Sequence, residues 1–210
     1  MPGFYVYPSQ YMVPYPMQLY YDEEEAGFEG SGFQGWATNT GGAGTCTQVT
    51  SPTRFGSYAA RTRAPALTDW AYLAKSSALA VLGTMVFEFY VHILDFFGTT
   101  GNDYQIAGAY NDLVGRYVFL VNMTPLGTAW YHEGALAYSG PSLSKNVWHR
   151  FLMERDTSTK IGKLWIDDIF ITEHTSGFND AFRWVYLGDG SGSTMRGDFL
   201  WDHVGVGRKI

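Results

Sequence analysis

The stretch MVFEFYVHILDFF, residues 85 to 97, decides how this chain reads. Phe87, Phe89, Val91 and Ile93 fall on one side of a period-two pattern, and Glu88, Tyr90, His92 and Leu94 fall on the other. Alternation of this kind belongs to a β-strand with one face in a core, since successive strand side chains point to opposite faces of a sheet. The pattern recurs downstream, with Tyr117, Phe119, Val121 and Met123 against Arg116, Val118, Leu120 and Asn122. Further strands are expected at 129–138, 147–155, 162–172, 182–188 and 197–206, many of them rich in aromatic and β-branched residues.

Turn chemistry gives the same segmentation. Gly98–Asp103, Asn111-Asp112, Asp156–Lys160 and Gly188–Gly192 are connections by composition. Only Asp69–Leu82 leaves room for a helical piece, and its 3.6-residue period is indistinct. Sequential strands of this number predict an all-β chain, closed as a two-sheet antiparallel jelly-roll sandwich. The 210 residues fit one large domain, and 46% hydrophobic, 17% aromatic and only 16% charged side chains supply ample core material. A net charge of −6 speaks against nucleic-acid binding, which relies on a basic surface. One cysteine, Cys46, excludes an intramolecular disulfide framework and a cysteine zinc cluster.

Residues 1–26 read differently, as an extended arm and an acidic hinge ahead of a domain at 27–210. Residues 1–21 hold four of the eight prolines, six tyrosines and no charged side chain. Proline removes backbone donors and biases its neighbours toward extended backbone, so a helix is excluded. Tyr5, Tyr7, Tyr11 and Tyr15 are expected to dock against a neighbouring chain in a homo-oligomer or larger assembly, or else against the arm's own domain, because tyrosine offers wide amphipathic contact area. Asp22–Glu25 then reads as a solvated hinge, with a hard-cation site as the alternative. No basic stretch precedes an apolar core at the start, so no signal peptide is expected. The apolar run Ala78–Phe97 carries Glu88, His92 and Asp95, which speaks against membrane insertion.

Several stretches together resemble the concanavalin A-like lectin/glucanase domains, including the laminin-G-like modules. They are Gly27-Phe28-Glu29-Gly30 leading to Trp36, Gly41-Gly42-Ala43-Gly44, and Gly56-Ser57-Tyr58-Ala59-Ala60-Arg61. Trp148-His149-Arg150 with Gly162-Lys163-Leu164-Trp165-Ile166-Asp167-Asp168 is similar to that fold's paired strands, and Trp201-Asp202-His203-Val204 to its closing strand. The similarity spans roughly residues 27–207. Ile169 stands where a turn glycine is common, and His203 replaces the second Asp of the closing pair. The resemblance implies a jelly roll and a glycan as ligand. It also implies where hydrolases of the fold keep their acids, alternating along one strand as Glu-x-Asp-x-x-Glu.

The comparable strand here offers Glu88, Tyr90 and His92, with the next acid, Asp95, on the opposite side. That is a poor pair for a glycosidase, which needs two carboxylates across the scissile bond. A lyase built from Tyr90, His92 and Arg116 is the remaining catalytic alternative. No histidine has a partner at metal-ligand spacing, so no metal site is expected; calcium stays open with no ligand assigned. Gly41, Gly42 and Gly44 precede no convincing helix and no Lys-Ser/Thr, which excludes a phosphate loop. The expected site is therefore a sugar-binding surface, with rings to stack on apolar sugar faces and polar groups for the hydroxyls. Its candidates are Glu88, Tyr90, His92, Arg116, Trp130 and Tyr131, with Trp184, Tyr186 and Asn122 as further ones. These features predict a non-catalytic lectin-like subunit of a virion or cell-surface assembly. A free carbohydrate-binding module and a polysaccharide-degrading lyase or hydrolase are the alternatives.

Overall fold

The computed structural model describes residues 17–19, 27–33, 35–66, 68–76, 83–97, 104–124, 126–189 and 197–209. Tyr5, Tyr7, Tyr11, Tyr15 and the hinge Asp22–Glu25 lie outside the described residues. The strands are β1 (Met17–Leu19), β2 (Ala37–Gly41), β3 (Thr45–Val49), β4 (Ala59–Ala64), β5 (Trp70–Ser76), β6 (Thr84–Phe96), β7 (Tyr104–Asn111) and β8 (Arg116–Met123). They continue as β9 (Gly127–His132), β10 (Ala135–Pro141), β11 (Trp148–Asp156), β12 (Ile161–Ile166), β13 (Ile169–Thr175), β14 (Trp184–Asp189) and β15 (Gly197–Lys209). Two antiparallel sheets form a sandwich. Sheet I runs β13-β12-β11-β6-β15-β4-β3, with β1 also on β15, and sheet II runs β10-β9-β8-β7-β14-β5-β2.

β6 lies in the middle of sheet I, paired with β11 from Thr84 to His92 and with β15 from Met85 to Phe96. Its inner face carries Phe87, Phe89, Val91 and Ile93, all fully buried. The rings interlock there: Phe89 stacks on Phe151 of β11 at 5.1 Å and meets Trp201 of β15 edge-on at 5.7 Å. Sheet II answers with Phe119, Val121, Trp130, Val185 and Leu187. Trp201 reaches Thr62 Oγ1 with its indole N–H at 2.8 Å, so the ring is buried without stranding its donor.

Several expected elements come out differently. The strand expected at 129–138 is a hairpin, β9 and β10, turned at Glu133 (φ 50°) and Gly134 (φ 82°). The strand expected at 162–172 breaks likewise at Asp167 (φ 51°) and Asp168 (φ 66°), one residue ahead of the position where a turn glycine was expected. Aspartate tolerates the left-handed backbone that a two-residue hairpin loop needs, which is why no glycine is required. Trp70–Ser76 is strand, not helix, and residues 77–82 lie outside the description.

The period-two reading of β8 fails at one place. Ala109 pairs with Phe119 and Tyr110 with Tyr117, so Val118 is an extra residue in a bulge. Val118 and Phe119 both face the core, and Tyr117 is turned to the outside of sheet II. A second bulge leaves Ile106 as the extra residue of β7. At the other end of the chain's path, residues 17–19 pair with Gly207–Lys209, so the base of the N-terminal arm adds a short strand to its own domain.

The sandwich also buries charge between its sheets. Arg155, on the inner face of β11, has no exposed side-chain surface and donates through Nη2 to Glu133 Oε1 at 2.7 Å and to the Phe178 carbonyl at 2.5 Å. Arg116 and Asp180 form a pair beside it at 3.4 Å. His132 packs parallel to Trp130 in the same region, and burial, with Arg155 and His174 adding, holds its pKa down at about 3, so it is neutral at physiological pH. Removing one partner of a buried pair strands the other charge. Arg155→Ala should cost about 3–5 kcal/mol in urea denaturation, while the double change Arg155→Met with Glu133→Gln should recover most of that loss.

Candidate functional site

Two outward faces compete for the role of site. On sheet I, Glu88, Tyr90 and His92 project outward from β6, beside Arg150 and Trp148 of β11 and Leu200 and Asp202 of β15. This face is closed. Arg150 donates to Glu88 at 2.7 Å through Nε and to Asp168 through Nη1, joining the two carboxylates through one guanidinium. Phe55 lies edge-on to Tyr90 at 5.2 Å, and the Arg54 guanidinium stands 5.4 Å from the same ring. Burial, reinforced by Glu88, pushes the Tyr90 phenol far above its ordinary pKa, so it stays protonated.

The roof over this face is tied down by Asp202. Its carboxylate accepts the backbone N–H of Arg54 at 2.7 Å, of Phe55 at 2.9 Å and of His203 at 2.7 Å. Burial nevertheless pushes its pKa up to about 6. Glu29 takes the amides of Ser57 and Tyr58 in the same loop. Among the described residues no group of three or more His, Cys, Asp or Glu side chains is placed to hold a metal ion. His92 packs edge-on against Trp148 at 5.2 Å, and burial, with the neighbouring His149, lowers its pKa. Four residues apart on one strand, Glu88 and His92 are separated by about 13 Å along the backbone, too far to act on one bond together.

The other candidates lie elsewhere. Trp130 is wholly inside the core and offers no surface to a ligand. Arg116 stands at the end of β8, its guanidinium 3.7 Å over the Phe178 ring and paired with Asp180. Tyr131 is half-buried on the outer face of sheet II. The six residues are thus spread over an ionic cluster, the core, an end of the sandwich and the opposite sheet. Cys46 is a half-buried strand residue whose thiol burial pushes up to about 11, which leaves it protonated and unreactive at neutral pH. Ala43, in the glycine-rich turn after β2, gives its amide to the Asp69 carboxylate at 2.9 Å, the opposite of a phosphate cradle.

The outer face of sheet II is the more open one. Cross-strand pairing lays its side chains in rows across the strands. One row runs Ser76, Trp184, Tyr110, Tyr117; the next runs Ala74, Tyr186, Gly108, Leu120, Tyr131, Leu136; a third runs Gln105, Asn122, Ala129, Ser139. The rings touch: Tyr110 and Tyr117 are 5.0 Å apart and Tyr117 and Tyr186 5.7 Å. Gln105 ties the rows together, donating through Nε2 to the Tyr186 hydroxyl and, at 3.3 Å, to that of Tyr117. Gly108 is needed beneath them, since a Cβ there would come within 2.4 Å of the Tyr186 hydroxyl. Trp184 is 37% exposed at the rim. None of these row residues is charged. The pattern that betrays this face is the Val118 bulge, which no alternation rule could place.

No protein-family model and no curated protein matches the chain. Solved structures do resemble its fold. A cellulose-induced protein, Cip1, superposes with a TM-score of 0.66 at 11% identity, over 88% of this chain and 95% of that one. A carbohydrate esterase from Shiga toxin-encoding bacteriophage phi24B gives 0.62 at 14%, over 84% and 91%. A sialidase gives 0.61 at 10%, over 88% of this chain but 18% of its own. At such identities the likeness is one of fold, and it extends to proteins named for acting on carbohydrate.

A pH-sensitive pair lies where β11 meets the β12–β13 turn. His149 faces Asp167 at 2.8 Å and the Ser144 carbonyl at 3.0 Å. Burial, the largest single influence, would lower the His149 pKa, but the bonds to Asp167 and the Ser144 carbonyl together with the Asp167 charge outweigh it, and the net value lies above 6.5. Burial would raise Asp167, but His149 and the Arg150 amide bring it below 3.8. The histidine's contribution is complete below pH 6.5 and fades as pH rises through its raised pKa. The aspartate's is complete above pH 3.8 and fades as pH falls through its lowered one. Asp167→Asn keeps the acceptor for Arg150 and tolerates the turn. In thermal melts, its deficit against the unsubstituted protein should be largest between about pH 4 and 6 and shrink above pH 7.

Proposed function

We propose that this domain binds glycans, without catalysis, on the outer face of sheet II. The observation that carries the proposal is the aromatic rows of Trp184, Tyr110, Tyr117 and Tyr131, packed around the buried Tyr186, beside a row of amide and hydroxyl side chains. Sugars are held by that combination, with rings against their apolar faces and a few placed polar groups for orientation. The likeness in fold to a carbohydrate esterase and a sialidase supports it, as does the resemblance to concanavalin A-like and laminin-G-like domains. A catalytic reading finds less support. The described row residues include no carboxylate, histidine or cation, while the carboxylates of the opposite face are held by Arg150 or by backbone amides.

The proposal includes a place in a larger assembly, of the virion or cell-surface kind. The pairing of residues 17–19 with β15 supports this by rooting the tyrosine-rich arm at one position on the domain. Tyr5, Tyr7, Tyr11 and Tyr15 are the proposed contacts to a second copy or another subunit. Deleting residues 1–16, which spares β1, should lower the mass measured by light scattering and leave the melting temperature of the domain within a few degrees. An unchanged mass would remove the arm from the assembly.

Glycan binding is tested with an oligosaccharide array followed by calorimetry. Trp184→Ala and Tyr117→Ala should each weaken binding by about tenfold or more, the loss of one to two kcal/mol of ring contact. His92→Ala and Glu88→Gln should leave affinity unchanged. Release of reducing ends or unsaturated products from any bound polysaccharide would overturn the non-catalytic assignment.

A further inference from the structure

We propose that the hollow at the β8, β9 and β10 corner of sheet II is a subsite for one uncharged sugar unit, at the end of the glycan-binding face; the proposal rests on the glycan reading above. The hollow has a volume of about 250 Å³ and is lined by Asn122, Thr124, Leu126, Ala129 and Ser139 together with glycine backbone. That is below the range for drug-sized ligands and suits a single small ring. It continues the rows already described. Asn122 pairs with Ala129 and Ala129 with Ser139, so a small side chain forms the floor between two polar ones, one step from Tyr131 and Leu120.

Asn122 is the observation that points to a ligand. The residue is 8% exposed, and its Oδ1 has no hydrogen-bond partner. Buried amide groups are almost always satisfied, and an unsatisfied one calls for an explanation. The terminal torsion of asparagine is soft, so the amide can turn to present acceptor and donor together to a sugar's adjacent hydroxyls. The rim is built in advance. Thr124 Oγ1 accepts the amides of Leu126 at 3.1 Å and Gly127 at 2.9 Å, which closes the β8–β9 turn and stands Leu126, 68% exposed, at the mouth.

The charge of the ligand follows from the surroundings. No Asp, Glu, Lys or Arg occurs from Tyr117 to Tyr131 or from Gly134 to Ser144, the segments that build this corner. A uronate, sialate or sulfate seated here would lose water without gaining a counter-charge, and burying an unpaired charge is far more costly than burying a hydroxyl that finds a partner. A neutral sugar with an exposed edge of hydroxyls meets both the amide and the absence of charge.

The test uses the full chain and calorimetry with hexasaccharides of neutral glucan, xylan, mannan and galactan, and with alginate hexamers as the charged counterpart. Ala129→Trp fills the hollow from an outward position, and Asn122→Ala removes the amide and keeps the space. Circular dichroism and thermal melts confirm that each variant is folded, and Asn122→Ala decides the matter if the bulkier variant is not. The neutral oligomer bound best should lose about tenfold or more in affinity in both variants, and alginate should bind at least about tenfold more weakly than it does. If both variants bind as the unsubstituted protein does while Trp184→Ala loses binding, the subsite is wrong and the binding face stands. If alginate binds more tightly than every neutral oligomer, the neutral assignment falls. If no oligosaccharide binds, the glycan reading itself fails and the subsite with it.

Discussion

The structure depends on the contact that Phe89 makes inside the sandwich, stacked on Phe151 and edge-on to Trp201. These three rings come from β6, β11 and β15, the central strands of sheet I, and they set the register of all three at once. A slip of one residue would carry each ring from core to surface, exchanging Phe89 for Glu88 or Tyr90. Register in sheet I is therefore over-determined, and the outward side chains of the same strands inherit it. Glu88 falls opposite Leu152 and Tyr90 opposite Arg150 because the inner rings put them there. The ionic cluster on the outside is a consequence of aromatic packing on the inside.

The two kinds of charge burial in this domain serve different ends. Outside sheet I, Arg150 joins Glu88 and Asp168, and Asp202 draws the 53–58 loop onto the strands through backbone amides. Between the sheets, Arg155 and Glu133 are wholly enclosed, and Arg155 Nε and Nη1 and Glu133 Oε2 have no partner. A pair so placed contributes little net stability, because desolvation offsets most of the attraction. Its effect is on geometry: Glu133 occupies the left-handed turn of the β9–β10 hairpin, and Arg155 reaches it across the sandwich from β11. The hairpin that floors the hollow is thereby held to the opposite sheet.

Much of this was legible in the sequence where burial alone decides. The inner face of β6 was readable because Phe87, Phe89, Val91 and Ile93 alternate without exception. The all-β sandwich follows from repeated runs of that kind separated by turns. Tyr117 was assigned to the wrong side because a bulge inserts Val118, and a bulge is set by pairing with another strand rather than by local pattern. Trp130 and Tyr131 are neighbours with opposite fates, core and surface, and composition does not say which ring goes where. Glu88, Tyr90 and His92 share a strand face as expected, but the loop that roofs them comes from residues more than thirty positions earlier. Long-range closure of that sort leaves no mark in the strand's own residues.

The low charge of the chain acquires a location from this arrangement. On the outside of sheet I ionised groups stand in ion pairs, as in Arg61 with Asp198 and Arg150 with Glu88. The rows across sheet II have none, and the uncharged runs Tyr117–Tyr131 and Gly134–Ser144 are the segments from which much of that face is made. An exposed face without charge has few ways to stay hydrated other than hydroxyls, carboxamides and the polar edges of its rings. Those same groups would exchange water for the hydroxyls of a neutral sugar at little cost, whereas a charged face would have to shed bound counterions and strongly held water. The absence of charge in these rows is therefore a recognition property in its own right, and it separates them from the outer face of sheet I, where Glu88, Asp198 and Asp202 reside.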